Sequence, residues 1–341
     1  MLCKGAAAQG VRAMLGIDVS KATLAYSLLA AGTQQVVAAG QVPNTPAGIA
    51  QLAALAPAEH PWVLEPTGVY SRAVVQRAQQ DGRTVLLAPP KEAKAFLAVL
   101  HPRAKTDRLD SQGLAHYALA LPLRPFPVKA ESVVQLEQLL AARKGLSESL
   151  AQLTQQRQVL PYAAAPLAAA IAALRAQQRE LDAQIAQLCQ QPELAIAHTL
   201  RQVPGIGPVT AAALAACFAS HTFTHPDQFV AYLGLDVRVR DSGAYVGRRR
   251  LSKRGQPELR RLLYLCAQAN LRRRDPDNPF KLQYERERAK GLSSTAALNA
   301  VARKLARTAW SLVTHGTQYD PERVHHPPHP SMPDPPLDNQ P

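Results

Sequence analysis

The amino-acid sequence predicts an α/β N-terminal domain, a long α-helical arm of coiled-coil type and a mostly α-helical C-terminal domain. Three observations carry this. Short apolar strand patterns alternate with helical patterns as far as residue 121, the signature of an α/β layer fold. Residues 131–191 then turn to Leu, Ala, Gln, Glu and Arg with almost no Gly. From residue 198 onward, Gly- and Pro-punctuated segments alternate with Ala- and Leu-rich helical stretches.

Residues 14–30 and 35–42 read as two strands joined at Ala31-Gly-Thr33. A helix over 45–56 follows, capped by Asn44 or Thr45. Next come a strand at Trp62-Val-Leu64, a helix over 71–81 and a strand over 83–88 ended by Pro89-Pro90. Helices over 91–100 and 107–121 close this part. Four carboxylates stand at its strand ends and turns. Asp18 lies in an apolar run between Ile17 and Val19, and Glu65 closes the Trp62 strand. Asp107 and Asp110 are three apart, which puts both on one helical face. Carboxylates converging from such places suit a hard divalent cation such as Mg2+, which takes oxygen ligands and keeps positions open for phosphate. Singly, each acid also reads as a turn Asp, a strand-end Glu or a helix-start residue. An initial hairpin with acids on the first strand, a later strand and a late helix suggests a ribonuclease-H-like core.

In the arm, Leu136, Leu139, Leu140, Leu146, Leu150 and Leu153 recur at helical intervals, as do Leu174, Leu181, Ile185 and Leu188. Two long helices broken near residues 161–166 are expected to pair as an antiparallel hairpin, either as a spacer or as a subunit interface. Val203-Pro-Gly-Ile-Gly-Pro-Val-Thr210 before an Ala-rich helix reads as a helix-hairpin-helix, with Gly205 and Gly207 offering backbone N–H groups to phosphate. The same residues also serve as plain turn chemistry. A helix ending at Gly234, a helix over Pro257–Leu271 and a helix over Ser294–His315 follow.

The net charge of +14 points to a polyanionic partner, with nucleic acid the default because no apolar run suggests a membrane. Residues 238–290 hold 16 Lys or Arg against six acids, so 10 of those 14 net charges lie there. Within this stretch, Arg248, Arg249, Arg250, Lys253, Arg254, Arg260 and Arg261 are the candidate phosphate contacts. Cys3, Cys189, Cys217 and Cys266 are scattered, with no Cys-x-x-Cys pair, which disfavours a zinc module or a disulfide framework and fits a reducing cytosol. Residues 1–13 lack the apolar core of a signal peptide and read as a disordered extension. Residues after about 319 are Pro- and His-rich and read as a disordered tail in which His325, His326 and His329 have no fixed geometry.

Gly16-Ile-Asp-Val-Ser-Lys21, Leu64-Glu-Pro-Thr-Gly68 and Lys105-Thr-Asp-Arg-Leu-Asp110 resemble the N-terminal motifs of DEDD-type insertion-sequence transposases. Pro204-Gly-Ile-Gly207, Tyr232-Leu-Gly-Leu235, Ser242-Gly243 and Ser252-Lys-Arg-Gly255 resemble the C-terminal domain of the same family, which includes the pilin-gene invertase. The resemblance covers residues 14–315. It implies a Holliday-junction-resolvase-like catalytic domain over 14–125, with Mg2+ held by Asp18, Glu65, Asp107 and Asp110. It further implies a dimerisation arm over 126–196 and a transposase domain over 197–318 whose nucleophile is Ser242. Residues 1–13 and 319–341 fall outside these three.

Implied partners are DNA, further copies of the chain as a dimer or tetramer, and, in some members, a structured guide RNA. The implied setting is the bacterial cytoplasm at the nucleoid. Ser242 attack on a phosphodiester would conserve bond energy for rejoining. Tyr245 and Ser252 are competing hydroxyls: Tyr245 lacks an Arg-His-Arg setting, and Ser252 among Lys253 and Arg254 suits a phosphate contact or a turn. The alternative activity is a metal-dependent junction nuclease whose C-terminal domain only binds DNA. A third is a nucleic-acid-binding protein without catalysis.

Overall fold

The computed structural model describes residues 13–30, 35–66, 68–102, 106–123, 125–238, 241–242, 245–246 and 249–325. The chain divides into two compact units at Val128/Lys129.

The first unit holds β1 (Met14–Val19), β2 (Thr23–Leu29), β3 (Val36–Pro43), α1 (Pro46–Ala54), β4 (Trp62–Leu64), α2 (Arg72–Gln80), β5 (Val85–Leu87), α3 (Pro90–Leu100) and α4 (Asp107–Ala120). The single strand expected over 14–30 is two strands. Ser20 turns the chain: its N–H bonds to Thr23 O at 2.9 Å and its hydroxyl also donates to that carbonyl. A polar Ser-Lys pair between two apolar runs is therefore a hairpin, and the sequence reading passed over it. The further hairpin expected at Ala31-Gly-Thr33 lies outside the described residues, although β2 and β3, which flank it, pair antiparallel.

The five strands form one mixed sheet in the order β3-β2-β1-β4-β5, with β1, β4 and β5 parallel and β2 antiparallel to β1. Both faces are covered. Leu15, Ile17, Trp62 and Leu64 pack on one side with Ile49 and Leu52 of α1 and Val74 of α2. Met14, Leu29 and Val63 pack on the other with Leu114, Ala115 and Tyr117 of α4. Strand side chains alternate between faces, so β1 must be apolar at nearly every position. Each fully buried Leu or Ile contributes about 1.5–3 kcal/mol. Gly16 is the exception, and α4 is the reason: a Cβ there would lie 2.0 Å from Ser111 O. Ser27, directly across β2 from Gly16, completes this seam through a buried 2.9 Å bond between its hydroxyl and that of Ser111.

The second unit begins with α5 (Glu131–Val159) and α6 (Ala164–Leu188). They lie antiparallel, as their cross-links show: Ser132 with Glu193 just past α6, Arg143 with Asp182, and Ser147 with Gln178. Each step along α5 is matched by an equal step backward in the second helix. The base of this arm joins the core, and farther out Ile171 is buried within the arm itself. Val133, Leu136, Ile185 and Cys189 join the core of the unit, whereas Val159, Leu160 and Tyr162 at the far end are exposed.

That core is built from α7 (Ile196–Leu200), α8 (Pro208–Ser220), α9 (Pro226–Tyr232), α10 (Pro257–Leu271), α11 (Pro279–Ala289), α12 (Ser294–His315) and α13 (Pro321–His325). Between α9 and α10 run β6 (Val237–Arg238), β7 (Asp241–Ser242), β8 (Tyr245–Val246) and β9 (Arg250–Leu251), pairing as β6 with β9 and β7 with β8. The bounds expected for α10 and α12 coincide with those observed. Helix α11 was not expected. Its signal is Asn278, whose side chain accepts from the N–H groups of Phe280 and Lys281, before a fully buried Phe280. Part of the stretch expected as tail from about 319 is instead helical, because α13 follows and buries Val324 in the core, and residues 326–341 lie outside the described residues. His326 and His329 lie outside the described residues, as does the His325 side chain. Among the described residues, no helix is long and apolar enough to cross a membrane.

Candidate catalytic acids and nucleic-acid interface

In the first unit, sheet register brings two of the four acids side by side. Ile17 of β1 is level with Leu64 of the parallel β4, so the next residues, Asp18 and Glu65, leave the paired stretch together. Strand alternation puts Asp18 on the face of Gly16, the face covered by α4. The helix brings the other two. Thr106 caps α4, its hydroxyl accepting from Leu109 N, which places Asp107 and Asp110 in the first turn, where negative charge is favoured. Helix α4 crosses β1 at Gly16 one residue beyond Asp110, so all four acids belong to one side of the sheet.

Asp18, Glu65 and Asp110 are half-buried, and Asp107 is exposed. With Thr106 and Arg108, Asp107 lines a pocket of about 730 Å3 that also touches Ala25, the cross-strand partner of Asp18. The oxygen chemistry of this set fits a hard divalent cation. Among the described residues, no three His, Cys, Asp or Glu side chains stand close enough to hold a metal ion in this conformation. Thus the register juxtaposes Asp18 with Glu65, while the four carboxylates do not close on one point.

In the second unit, Ser242 lies on β7 opposite Tyr245 of β8. Its side chain and that of Tyr245 lie outside the described residues, as do Gly243 and Arg248 altogether. The neighbouring motifs interlock through the backbone. Lys253 N bonds to Gly234 O, Gln256 N to Tyr232 O and Ser252 N to Asp236 O. A Cβ on Gly255, whose φ is +145°, would meet Tyr232 O at 2.1 Å. Tyr232-Leu-Gly-Leu235 and Ser252-Lys-Arg-Gly255 are thus one structural clasp. The Ser252 hydroxyl donates to the Asp236 carboxylate, which makes Ser252 a turn residue and gives Asp236 a role that sequence reading missed.

The candidate phosphate contacts are placed differently by the fold. Some are occupied by the fold. Gly205, with φ +84°, packs against α10, where a Cβ would lie 2.2 Å from the Asn270 amide nitrogen. That amide donates to Pro204 O at 2.8 Å, so turn packing alone accounts for Gly205. Arg260 donates to Leu233 O at 2.8 Å, capping the end of α9, and Arg261 pairs with Glu258, which also pairs with Lys144 of the arm. Gly207 is exposed at the start of α8 with open space around it, and Arg254 is exposed.

Three of the candidates line a cleft. Arg249, Arg250 and Lys253 line a groove of about 1440 Å3, together with Arg286 of α11 and Arg303, Lys304 and Arg307 of α12. Burial, and then Arg286 beside it, push the Lys304 pKa down. The α12 cations were missed because Val301 and Leu305 marked the helix as a core element. The signal was present, since Arg303 and Arg307 are four apart and share a stripe.

Comparison with known proteins matches two stretches of the chain. Residues 15–161 match the DEDD transposase domain of IS110, described as a transposase, and residues 197–285 match the transposase IS116/IS110/IS902 family. An insertion element IS110 uncharacterized 43.6 kDa protein of Streptomyces coelicolor is 30% identical over 155 residues, covering 45% of this chain and 37% of that protein. The transposase for insertion sequence element IS1328 of Yersinia enterocolitica is 32% identical over 124 residues, 36% of this chain and 37% of its own. These alignments span little more than a third of either relative. A pilin gene-inverting protein of Moraxella bovis is 26% identical over 322 residues, 91% of this chain and 98% of that one. The two domain matches stand one after the other along the chain, which thus carries IS110-family transposase domains.

Proposed function

We propose that this chain is a DNA transposase or site-specific recombinase that cuts and rejoins DNA through Ser242. The observation that carries the reading is the β1–β4 register, which sets Asp18 beside Glu65 on the sheet face crossed by the acid-bearing start of α4. The strand order, three antiparallel strands followed by two parallel to the first, supports a ribonuclease-H-like domain. Relatives named as a transposase and as a pilin gene-inverting protein support DNA as the substrate.

In this reading the Ser242 hydroxyl attacks a backbone phosphorus. The Oγ–P bond forms, the P–O3′ bond breaks, and the 3′-oxygen leaves as a hydroxyl, keeping a 5′-phosphoserine for rejoining. Asp18, Glu65, Asp107 and Asp110 would hold Mg2+, which when bound supplies charge stabilisation at the phosphoryl oxygens. Arg249 and Arg250, beside the Ser242 ribbon, offset charge on the attacked phosphate. The bacterial nucleoid is the setting, an element-encoded RNA is a candidate guide, and the arm is a candidate contact between copies.

The test is a trapping assay with the full chain, Mg2+ and nicked DNA carrying the element junction, with co-purified RNA retained. The expected result is an SDS-resistant protein–DNA adduct mapping to the Ser242 peptide, absent from Ser242→Ala and from Asp18→Asn. Cleavage without an adduct, unchanged in Ser242→Ala, would replace the reading with a metal-dependent junction nuclease.

A further inference from the structure

The cleft of the second unit is lined along α12 from Thr295 to Ser311. At 1.5 Å per residue that is about 24 Å, the reach of several nucleotides. The helix is divided lengthwise. Leu298, Val301, Ala302, Leu305 and Ala309 are buried in the core. Asn299, Arg303, Lys304, Arg307 and Thr308 line the cleft. Across from them stand Arg286 of α11 and the cationic ribbon residues Arg238, Arg250 and Lys253.

Among the described residues, the carboxylates lining the cleft are fewer than its cations, and there are two of them. Glu287 is engaged by Gln283 at 2.7 Å and Lys290 at 3.1 Å, and Asp320 pairs with Arg323 at 3.5 Å. Arg307 pairs with Asp227. Among the described residues, no carboxylate pairs with Arg286, Arg303 or Lys304. The Arg303 Nε is buried without a hydrogen-bond partner, and Lys304 donates to Gln283 Oε1 at 3.5 Å. Like charges packed together with a buried donor unmet cost free energy unless an anion completes them.

We propose that this cleft seats the phosphodiester backbone of a nucleic-acid strand, with Arg286, Arg303 and Lys304 as its phosphate contacts. Arg286 on α11 and Arg303 and Lys304 on α12 put these cations on two elements that line the same cleft. The polar residues of the same stripe, Asn299 and Thr308, add uncharged hydrogen-bonding groups of the kind that hold a backbone in register. The inference deepens the recombinase reading and rests on it for the choice of nucleic acid over other polyanions. DNA and RNA share this chemistry, so the strand is identified by experiment.

Fluorescence anisotropy with the full chain would use labelled duplex DNA, single-stranded DNA, duplex RNA and single-stranded RNA of arbitrary sequence, each across a salt series. Arg303→Gln/Lys304→Gln should weaken binding of the preferred form on the order of tenfold and lower its salt slope by about 2. The exposed Arg286→Gln, which does not touch the core, should lower the slope by about 1. Arg175→Gln/Arg179→Gln on the exposed surface of α6 should change neither. Polyglutamate should fail to displace the strand.

Wild-type affinity and slope in both cleft variants, or displacement by polyglutamate at equal charge, would overturn the inference. The recombinase reading fails separately. Asp18→Asn should bind as wild type, so binding through the cleft without any adduct in wild type would sink the chemistry and leave the cleft. An adduct with unchanged binding in the cleft variants would do the reverse.

Discussion

The acids of the first unit and the cations of the second reach their places by different means. Asp18, Glu65 and the Asp107/Asp110 pair are positioned by backbone: a strand register, a strand end and a capped helix start. The cations of the cleft come from β6, β9, α11 and α12, elements brought together only by the packing of an Ala- and Leu-rich core. The same packing decides which cations are spent. Arg260, in the most basic stretch of the chain, holds the end of α9, while Arg303, outside that stretch, has a buried donor unmet. A charge run therefore points to a polyanionic partner without showing which residues would meet it.

The sharpest way to break the first unit is at the seam that positions its acids. Gly16→Val would drive a side chain into the backbone of α4 and should cost more than about 3 kcal/mol, seen as loss of the first unit's protection in limited proteolysis. Survival of that protection would show that α4 is not held on β1 at Gly16. In the second unit, Gly255→Val meets a carbonyl at a φ open mainly to glycine. It should cost about 2–4 kcal/mol of thermal stability and loosen the clasp below the Ser242 ribbon.

Arg260→Gln sharpens the contrast between spent and available cations. It should lower stability by about 1–2 kcal/mol through the lost cap while leaving the salt slope of nucleic-acid binding unchanged, the opposite of Arg286→Gln. A fall in slope for Arg260→Gln would erase the distinction.

The smallest effect is expected at the arm. Lys144→Ala removes one partner of Glu258 and should cost under about 1 kcal/mol, because the pair is partly exposed. Arg261 first, and Lys144 after it, hold the Glu258 pKa below its ordinary value against some desolvation. The contribution is therefore present above the unfolded carboxylate pKa and lost as pH falls through the lower folded one. Chemical denaturation of wild type and Lys144→Ala at neutral and acid pH should converge at the acid end.

Much of the architecture was legible before any coordinates. Capping and periodicity located α10 and α12 to the residue, because Pro at the start of α10, Ser293 before α12 and Gly316 after it are local signals. What was misread was also local in cause. The turn at Ser20 hides in a run whose apolar residues continue on both sides, and α11 hides in a stretch dominated by charge. Helix α13 follows residues that already read as tail, and only the burial of Val324 makes it part of the unit.

By itself, then, the sequence determined the kinds of element and the excess of positive charge, because propensity, capping and composition act over a few residues. Tertiary structure alone decided that Asp18 stands beside Glu65, that two glycine motifs form one clasp, and that Arg303 and Lys304 face a cleft while Arg260 does not. Those outcomes depend on strand register and on which face of a helix the core consumes. Both are settled by contacts between residues far apart in the chain, where no local pattern reaches.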